Sequence, residues 1–293
     1  MKVFSWSDVV SDAKPSGFTF GTGSALTIGG FDGPHKGHCC LFDKVLEYKK
    51  NNAGMRAGVI TFSKSPRSFK DHGRFSGDLT TPRMKCDFLE AYGFDFCIMI
   101  DFSYDFSKIK GNDFLDMIRK FCSMQFLTVG SDFRCGHNLD TGVAELSDYM
   151  TSNGLEFRVL DAVLAGNQRI SSSLIRKTVS EGLIDYANEL LGHRYCIDVS
   201  SFFWTFLKKG LESQDSSLVS SLFIADRSGT QIMPPSGSYT VSVTFAGEDS
   251  CGCPGFYEDC CGMLYVEPDF LRLEVPLERE CTSLSVEKIF FIS

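Results

Sequence analysis

No apolar run in this chain approaches the roughly 20 residues that a membrane-spanning helix requires. The opening residues, Met1-Lys2-Val3-Phe4-Ser5-Trp6-Ser7-Asp8, lack the apolar core of a secretory leader, so a cytoplasmic location is the default expectation. Basic side chains are the minority, 29 against 37 acidic, for a formal charge of −8. That balance argues against general nucleic-acid binding. It is uneven: 23 basic face 24 acidic residues up to position 198, and 6 face 13 beyond it. The Lys-Ser/Thr pattern of a P-loop is absent, which removes that way of holding phosphate. No internal repeat or low-complexity tract is present. Histidine is scarce, five in 293 residues, so two of them three positions apart carry information.

Cysteine is the exception to this scarcity, with twelve residues. Cys86, Cys97 and Cys122 sit inside apolar, element-like segments and read as small buried hydrophobes. Cys251, Cys253, Cys260 and Cys261 form a C-x-C-x6-C-C cluster whose spacing fits no standard zinc knuckle. A loop of free thiols is the plainer reading, and no metal site is expected.

Five apolar or β-branched runs read as strands: Leu26–Gly29, Gly58–Phe62, Phe96–Ile100, Phe126–Gly130 and Phe157–Val163. Between them, Leu41–Tyr48, Met84–Tyr92, Phe114–Cys122 and Glu145–Met150 have helical periodicity. Thr80-Thr81-Pro82 is a helix start and Gly93 a stop. Such alternation predicts a parallel sheet with helices on both faces and ligands beyond the carboxyl ends of its strands. After Tyr195 the texture turns to Ser- and Gly-rich stretches with short β-like runs at Tyr239–Phe245, Gly262–Val266 and Phe270–Val275. The expectation is an α/β chain: a Rossmann-like domain over 1–198, then a small antiparallel β-barrel-like domain over 199–293.

One segment concentrates the chemistry. Thr27-Ile28-Gly29-Gly30-Phe31-Asp32-Gly33-Pro34-His35-Lys36-Gly37-His38 runs from a strand through a glycine turn into a helix. His35 and His38 therefore stand at a helix mouth, where unpaired N–H groups and the helix dipole favour phosphate. Two histidines at i and i+3 also suit a metal, but no third ligand lies nearby at a familiar spacing.

The run G-G-F-D-G-P-H-K-G-H resembles the G-x-F-D-G-x-H-x-G-H signature of bacterial FAD synthetases, the FMN adenylyltransferase module of the bifunctional riboflavin kinase/FAD synthetase family. Val129-Gly130-Ser131-Asp132-Phe133-Arg134-Cys135-Gly136 resembles the V-G-x-[DN]-F-x-F-G of that family. Ile170-Ser171-Ser172-Ser173-Leu174-Ile175-Arg176 resembles V-S-S-T-x-I-R, and Leu190-Leu191-Gly192-His193-Arg194-Tyr195 resembles L-L-G-R-P-Y. The similarity covers about residues 15–198.

The resemblance implies adenylyl transfer from ATP to FMN, giving FAD and pyrophosphate, with Mg²⁺ accompanying ATP and held mainly by phosphates and water. ATP and FMN are the expected partners, with no nucleic acid and no membrane. His35, His38, Ser172 and Arg176 are the implied catalytic set. Gly29, Gly30, Phe31, Asp32 and Gly33 would line the ATP site with both histidines, and Ser171, Ser172, Ser173 and Arg176 would clamp its triphosphate. Asp32 is equally well read as a turn residue. Phe62, Phe114, Asp132 and Phe133 are the candidate flavin contacts, although with 27 Phe in the chain any single one suits a core.

The pattern is incomplete in three places. The family's T-F-D-P-H-P is here Thr61-Phe62-Ser63-Lys64-Ser65-Pro66, without its Asp and His. The Thr of the S-S-T triplet is Ser173, and the family's Gly-Asp after the clamp helix is Gly182-Leu183. Beyond Tyr195 the glycines and P-T-A-N motif of a riboflavin kinase are missing; only Pro234-Pro235-Ser236-Gly237-Ser238-Tyr239-Thr240-Val241 resembles the kinase's P-P-x-G-x-Y-x-V. A degenerate kinase-like barrel without phosphoryl transfer is therefore expected. Two other readings stay open: an H-x-G-H adenylyltransferase with another acceptor, and a flavin-nucleotide binder without catalysis.

Overall fold

The computed structural model describes residues 1–12, 17–64, 77–208, 219–248, 254–277 and 285–292. The chain divides into two compact units, Met1–Phe75 with Pro82–Ser172, and Ser76–Thr81 with Ser173–Ser293. The division lies at Ser172/Ser173 rather than at residue 198. The strand Cys196–Asp198 explains part of this, because it pairs with Ser285–Phe291 in the second sheet.

The first unit is a six-stranded, all-parallel sheet in the order β1-β4-β3-β2-β5-β6. Its strands are β1 (Lys2–Ser5), β2 (Ser24–Ile28), β3 (Arg56–Phe62), β4 (Phe96–Ile100), β5 (Met124–Gly130) and β6 (Glu156–Leu160). The helices are α1 (Trp6–Val10), α2 (Lys36–Asn51), α3 (Pro82–Tyr92), α4 (Gly111–Cys122) and α5 (Val143–Ser152). Strand β6 stops at Leu160 rather than Val163 because its only neighbour, β5, ends at Gly130, the register partner of Leu160.

Alternation along the strands sends side chains to two cores. Phe96 and Ile98 pack with Phe114, Leu115 and Ile118 of α4, whereas Cys97 packs on the other face with Phe42 and Val45 of α2 and Leu89 of α3. From β2 the chain moves outward through β3 and β4, then crosses back to place β5 on the other side of β2. The crevice beyond the carboxyl ends of β2 and β5 is therefore the switch point of the sheet, the place where open α/β sheets bind ligands. The glycine turn leaves β2 there.

The short hairpin β7 (Leu164–Ala165) and β8 (Gln168–Arg169) follows. The unit boundary falls after the first residue of α6 (Ser172–Ser180); in the second unit the rest of α6 and α7 (Ile184–Leu191) precede a seven-stranded antiparallel sheet in the order β10-β11-β14-β13-β12-β15-β9. The strands are β9 (Cys196–Asp198), β10 (Trp204–Lys208), β11 (Val219–Asp226), β12 (Gly237–Glu248), β13 (Pro254–Val266), β14 (Phe270–Leu277) and β15 (Ser285–Phe291). Leu271, Leu273 and Val275 alternate inward along β14, as expected for a sheet with one buried face.

Among the described residues no helix is long and apolar enough to cross a membrane. Cys97 and Cys122 are buried as expected, while Cys86 is only half-buried. Cys251 and Cys253 lie outside the described residues. Cys260 and Cys261 are neighbours on β13 and so project to opposite faces of the sheet, an arrangement that does not converge on one ion.

Candidate active site

The turn between β2 and α2 is held by three devices. Phe31 takes a left-handed backbone angle, φ +42°, and buries its ring to 2% exposure. That ring lies edge-on to Phe42 and to His38, with centroids 5.0 and 5.1 Å away. Gly29 is obligatory because a Cβ there would sit 2.7 Å from the same ring, and Gly33 because its φ is +59°. Gly30 differs: it is exposed, and a Cβ would meet nothing within 4 Å. Asp32 is 5% exposed and accepts at its main-chain carbonyl a hydrogen bond from the Ser172 hydroxyl, 2.7 Å away.

His35 is the N-cap of α2, and its Nδ1 accepts the main-chain N–H of His38 at 3.3 Å. An imidazole that accepts at Nδ1 carries its proton on Nε2 when neutral, so His35 is fixed as an Nε2–H donor. His38 stacks on it, with centroids 3.6 Å apart and planes 18° from parallel. The Nδ1 of His38 is buried without a hydrogen-bond partner, which leaves Nε2 as its open nitrogen. Burial first, then His35, Lys85 and Arg169, hold the basicity of His38 well below its ordinary 6.5. It is a neutral ring at physiological pH.

Lys85 and Arg169 were not legible as site residues, yet both bear on His38. Lys85 is buried on α3 and donates to the carbonyls of Phe62 (2.7 Å) and Gly30 (3.0 Å). Arg169 on β8 forms a 2.7 Å ion pair with Asp132, a candidate flavin contact just past β5. The signal for Lys85 was its place one turn before Leu89, on the buried stripe of α3.

The other candidates divide as follows. Within the first unit His35, His38, Asp32 and Ser172 are gathered about the glycine turn, and Ser171 is half-buried at the start of the same segment. Ser173 and Arg176 belong to the second unit, where Arg176 is 8% exposed and its Nε donates to the Gly77 carbonyl at 3.0 Å. Phe62 is half-buried at the end of β3, against Phe102 and Phe106. Phe133 is half-buried in the turn after β5, its N–H donating to the Gly130 carbonyl at 3.0 Å. Phe114 is a core residue, 3% exposed between Trp6 and Phe106. Where the family has the Asp of T-F-D, the Ser63 hydroxyl donates to the Asp101 carboxylate. Ser65 and Pro66 lie outside the described residues.

Comparison with known proteins identifies the family. The model of a family described as FAD synthetase matches residues 19–174. A bifunctional riboflavin kinase/FMN adenylyltransferase of Escherichia coli strain K12 is 29% identical over 177 residues, covering 60% of this chain and 56% of the relative. A FAD synthetase of Listeria monocytogenes serovar 1/2a is 29% identical over 175 residues, 59% of this chain and 70% of the relative. The chain spans about half the length of the bifunctional relatives it matches. A crystal structure of a macrolide-efflux protein from Streptococcus pneumoniae superimposes with a TM-score of 0.76 over 100% of this chain and 90% of that one; at 18% identity the likeness is one of fold.

Proposed function

Because the chain belongs to the FAD synthetase family, we propose that it transfers the adenylyl group of ATP to FMN, releasing FAD and pyrophosphate. An FMN phosphate oxygen attacks the α-phosphorus of ATP in line, and the bond to the β-phosphate oxygen breaks. No covalent intermediate on the protein is needed. The work of the protein is to align two anions and to neutralise charge that grows on the α-phosphate and the leaving group.

The observation that carries this reading is the stacked histidine pair at the mouth of α2, with His38 held neutral. His35, with its proton fixed on Nε2, and His38, with Nε2 its open nitrogen, offer hydrogen bonds to phosphate oxygens at a helix N-terminus. Gly30 supports it, since no atom of the described residues lies within 4 Å of where its Cβ would be, and a nucleotide can approach the backbone there. Ser171, Ser172 and Ser173 are assigned to the triphosphate. Arg176 takes the departing pyrophosphate through its planar donor fork. Phe62 and Phe133 are assigned to the isoalloxazine ring, with Phe114 backing them from the core and Asp132 beside the flavin, held by Arg169. Mg²⁺ enters as the companion of ATP, carried by phosphates and water.

In this reading the second unit is a riboflavin-kinase-like sheet that has lost phosphoryl transfer. The test is direct: purified protein with Mg-ATP and FMN, followed by chromatography for FAD. FAD appearing with stoichiometric pyrophosphate supports the proposal. Bound FMN without turnover overturns it in favour of a flavin-nucleotide binder.

A further inference from the structure

A lysine on the buried stripe of a helix needs an explanation, because desolvating an ammonium costs several kcal/mol. Lys85 is 3% exposed, and only it and Leu89 are buried on α3. Its Nζ meets the carbonyl oxygen of Phe62, the last residue of β3, at 2.7 Å, and that of Gly30 at 3.0 Å; the Thr61 hydroxyl lies 3.5 Å away. Thr61 itself donates to the Gly30 oxygen at 3.0 Å. The Gly30 carbonyl thus accepts two hydrogen bonds, from a cation and a hydroxyl, and both its lone pairs are engaged inside the protein.

A trans peptide holds its C=O and the following N–H on opposite sides, and the described chain has no cis bond. Turning the Gly30 oxygen toward β3 and α3 therefore turns the Phe31 N–H away from them, while Gly30 itself is exposed. Among the described residues that N–H has no hydrogen-bond partner, and an unpaired amide is what an anion site requires. The left-handed backbone of Phe31 is the same constraint seen from the next residue.

We propose that Lys85 is the positioning residue of this site: it locks the Gly30–Phe31 peptide so that the Phe31 N–H is presented to a nucleotide phosphate beside His35 and His38. The identity of that ligand rests on the adenylyl-transfer reading. Lys85 acts through the peptide and does not touch substrate. Its charge has a second effect. The groups that face His38 are His35 from the turn, Lys85 from α3 and Arg169 from β8, so removing Lys85 removes one of the positive neighbours that keep His38 neutral.

The experiment compares wild type with Lys85→Met and Lys85→Gln by two-dimensional NMR, using adenosine 5′-(α,β-methylene)triphosphate as the probe. In wild type the Phe31 amide is expected to move downfield on titration with the probe. In the variants that response should be lost and the probe should bind about tenfold more weakly, the scale of one hydrogen bond to a charged group. The imidazole of His38 should titrate at higher pH in the variants than in wild type. A purely structural lysine would lower the melting temperature and leave the amide response and the His38 titration where they were, and that result overturns the proposal. Should neither variant fold, wild type still decides, because a Phe31 amide indifferent to bound probe overturns it alone. Wild type that binds the probe but makes no FAD counts against adenylyl transfer and leaves the Lys85 inference to be judged on the amide. Wild type that binds no probe overturns both.

Discussion

The imidazoles of His35 and His38 lie face to face, 3.6 Å between centroids, at the first turn of α2. Two imidazolium rings do not stack at that distance, so the arrangement commits at least one ring to neutrality. His38 is that ring, held below 6.5 by burial and by its positive neighbours. The sign for stability follows. Below pH 6.5 the unfolded chain binds a proton at His38 that the folded chain refuses, so stability is complete above 6.5 and falls as the pH drops toward the folded value. One proton sets the limit of that slope at about 1.4 kcal/mol per pH unit. Urea melts of wild type and His38→Gln between pH 5 and 7.5 should show the variant losing part of this slope. Parallel curves for the two proteins would refute the assignment.

Turnover probes the same pair from the other side. His38→Ala and Arg176→Ala should each lower kcat for FAD formation by about 10²-fold, the scale for removing one donor to a developing charge. Arg176→Ala should change KM for ATP much less than kcat, because its assigned partner is the leaving pyrophosphate. Steady-state rates over an ATP series check both, and wild-type kcat in either variant would remove that residue from the machinery.

The parts of this molecule that were legible in the sequence are those whose cause is local. Phe96–Ile100 is a strand in both readings, bounded on one side by Gly93, with φ +106°, and buried on both faces. The helix start at Pro82 follows from proline chemistry alone. Strand β1 was invisible because it buries only Phe4 and takes its partner, β4, from more than ninety residues away. Strands β10 and β15 were missed for a similar reason: mixed Ser, Phe and Lys runs acquire their meaning from the neighbours they pair with. The histidine pair was legible as a motif, but its tautomer and its stack were not. Lys85 was overlooked because a lysine in a helix is ordinarily solvated, and only the register of α3 on the sheet buries it.

Ser172, the last residue of the first unit, donates to the Asp32 carbonyl of the glycine turn, 140 positions earlier in the chain. Ser172→Ala leaves that acceptor without its hydroxyl and should cost about 1 kcal/mol. Because the bond fixes the turn that carries His35, the variant should also lose catalytic efficiency beyond its loss of stability. A denaturant midpoint and kcat/KM on the same preparation test the two halves. Reduced stability with unchanged kcat/KM would confine Ser172 to the scaffold.

The second unit offers a prediction of absence. Its strand entry at Pro234–Val241 resembles a riboflavin kinase, but P-T-A-N and the glycine stretch are missing. Incubation with riboflavin and Mg-ATP should yield no FMN, while FMN supplied to the same preparation is adenylylated. FMN produced from riboflavin would show that this sheet phosphorylates by other residues.

Gly29 and Gly30 are adjacent, yet the structure separates their reasons for being glycine. A Cβ on Gly29 strikes the Phe31 ring at 2.7 Å, so Gly29→Ala should destabilise the fold and disturb the whole turn. Among the described residues a Cβ on Gly30 meets nothing within 4 Å, and its backbone φ lies outside the left-handed region. Gly30→Ala should therefore hold stability or raise it by about 0.4–1 kcal/mol, through a less disordered unfolded chain. If a nucleotide lies over Gly30, the added methyl must intrude on it. Affinity for ATP should then fall while the melting temperature does not. Calorimetric titration with ATP beside a thermal melt separates the cases. A Gly30→Ala protein that melts no lower than wild type and binds ATP as tightly would mean that the nucleotide lies elsewhere.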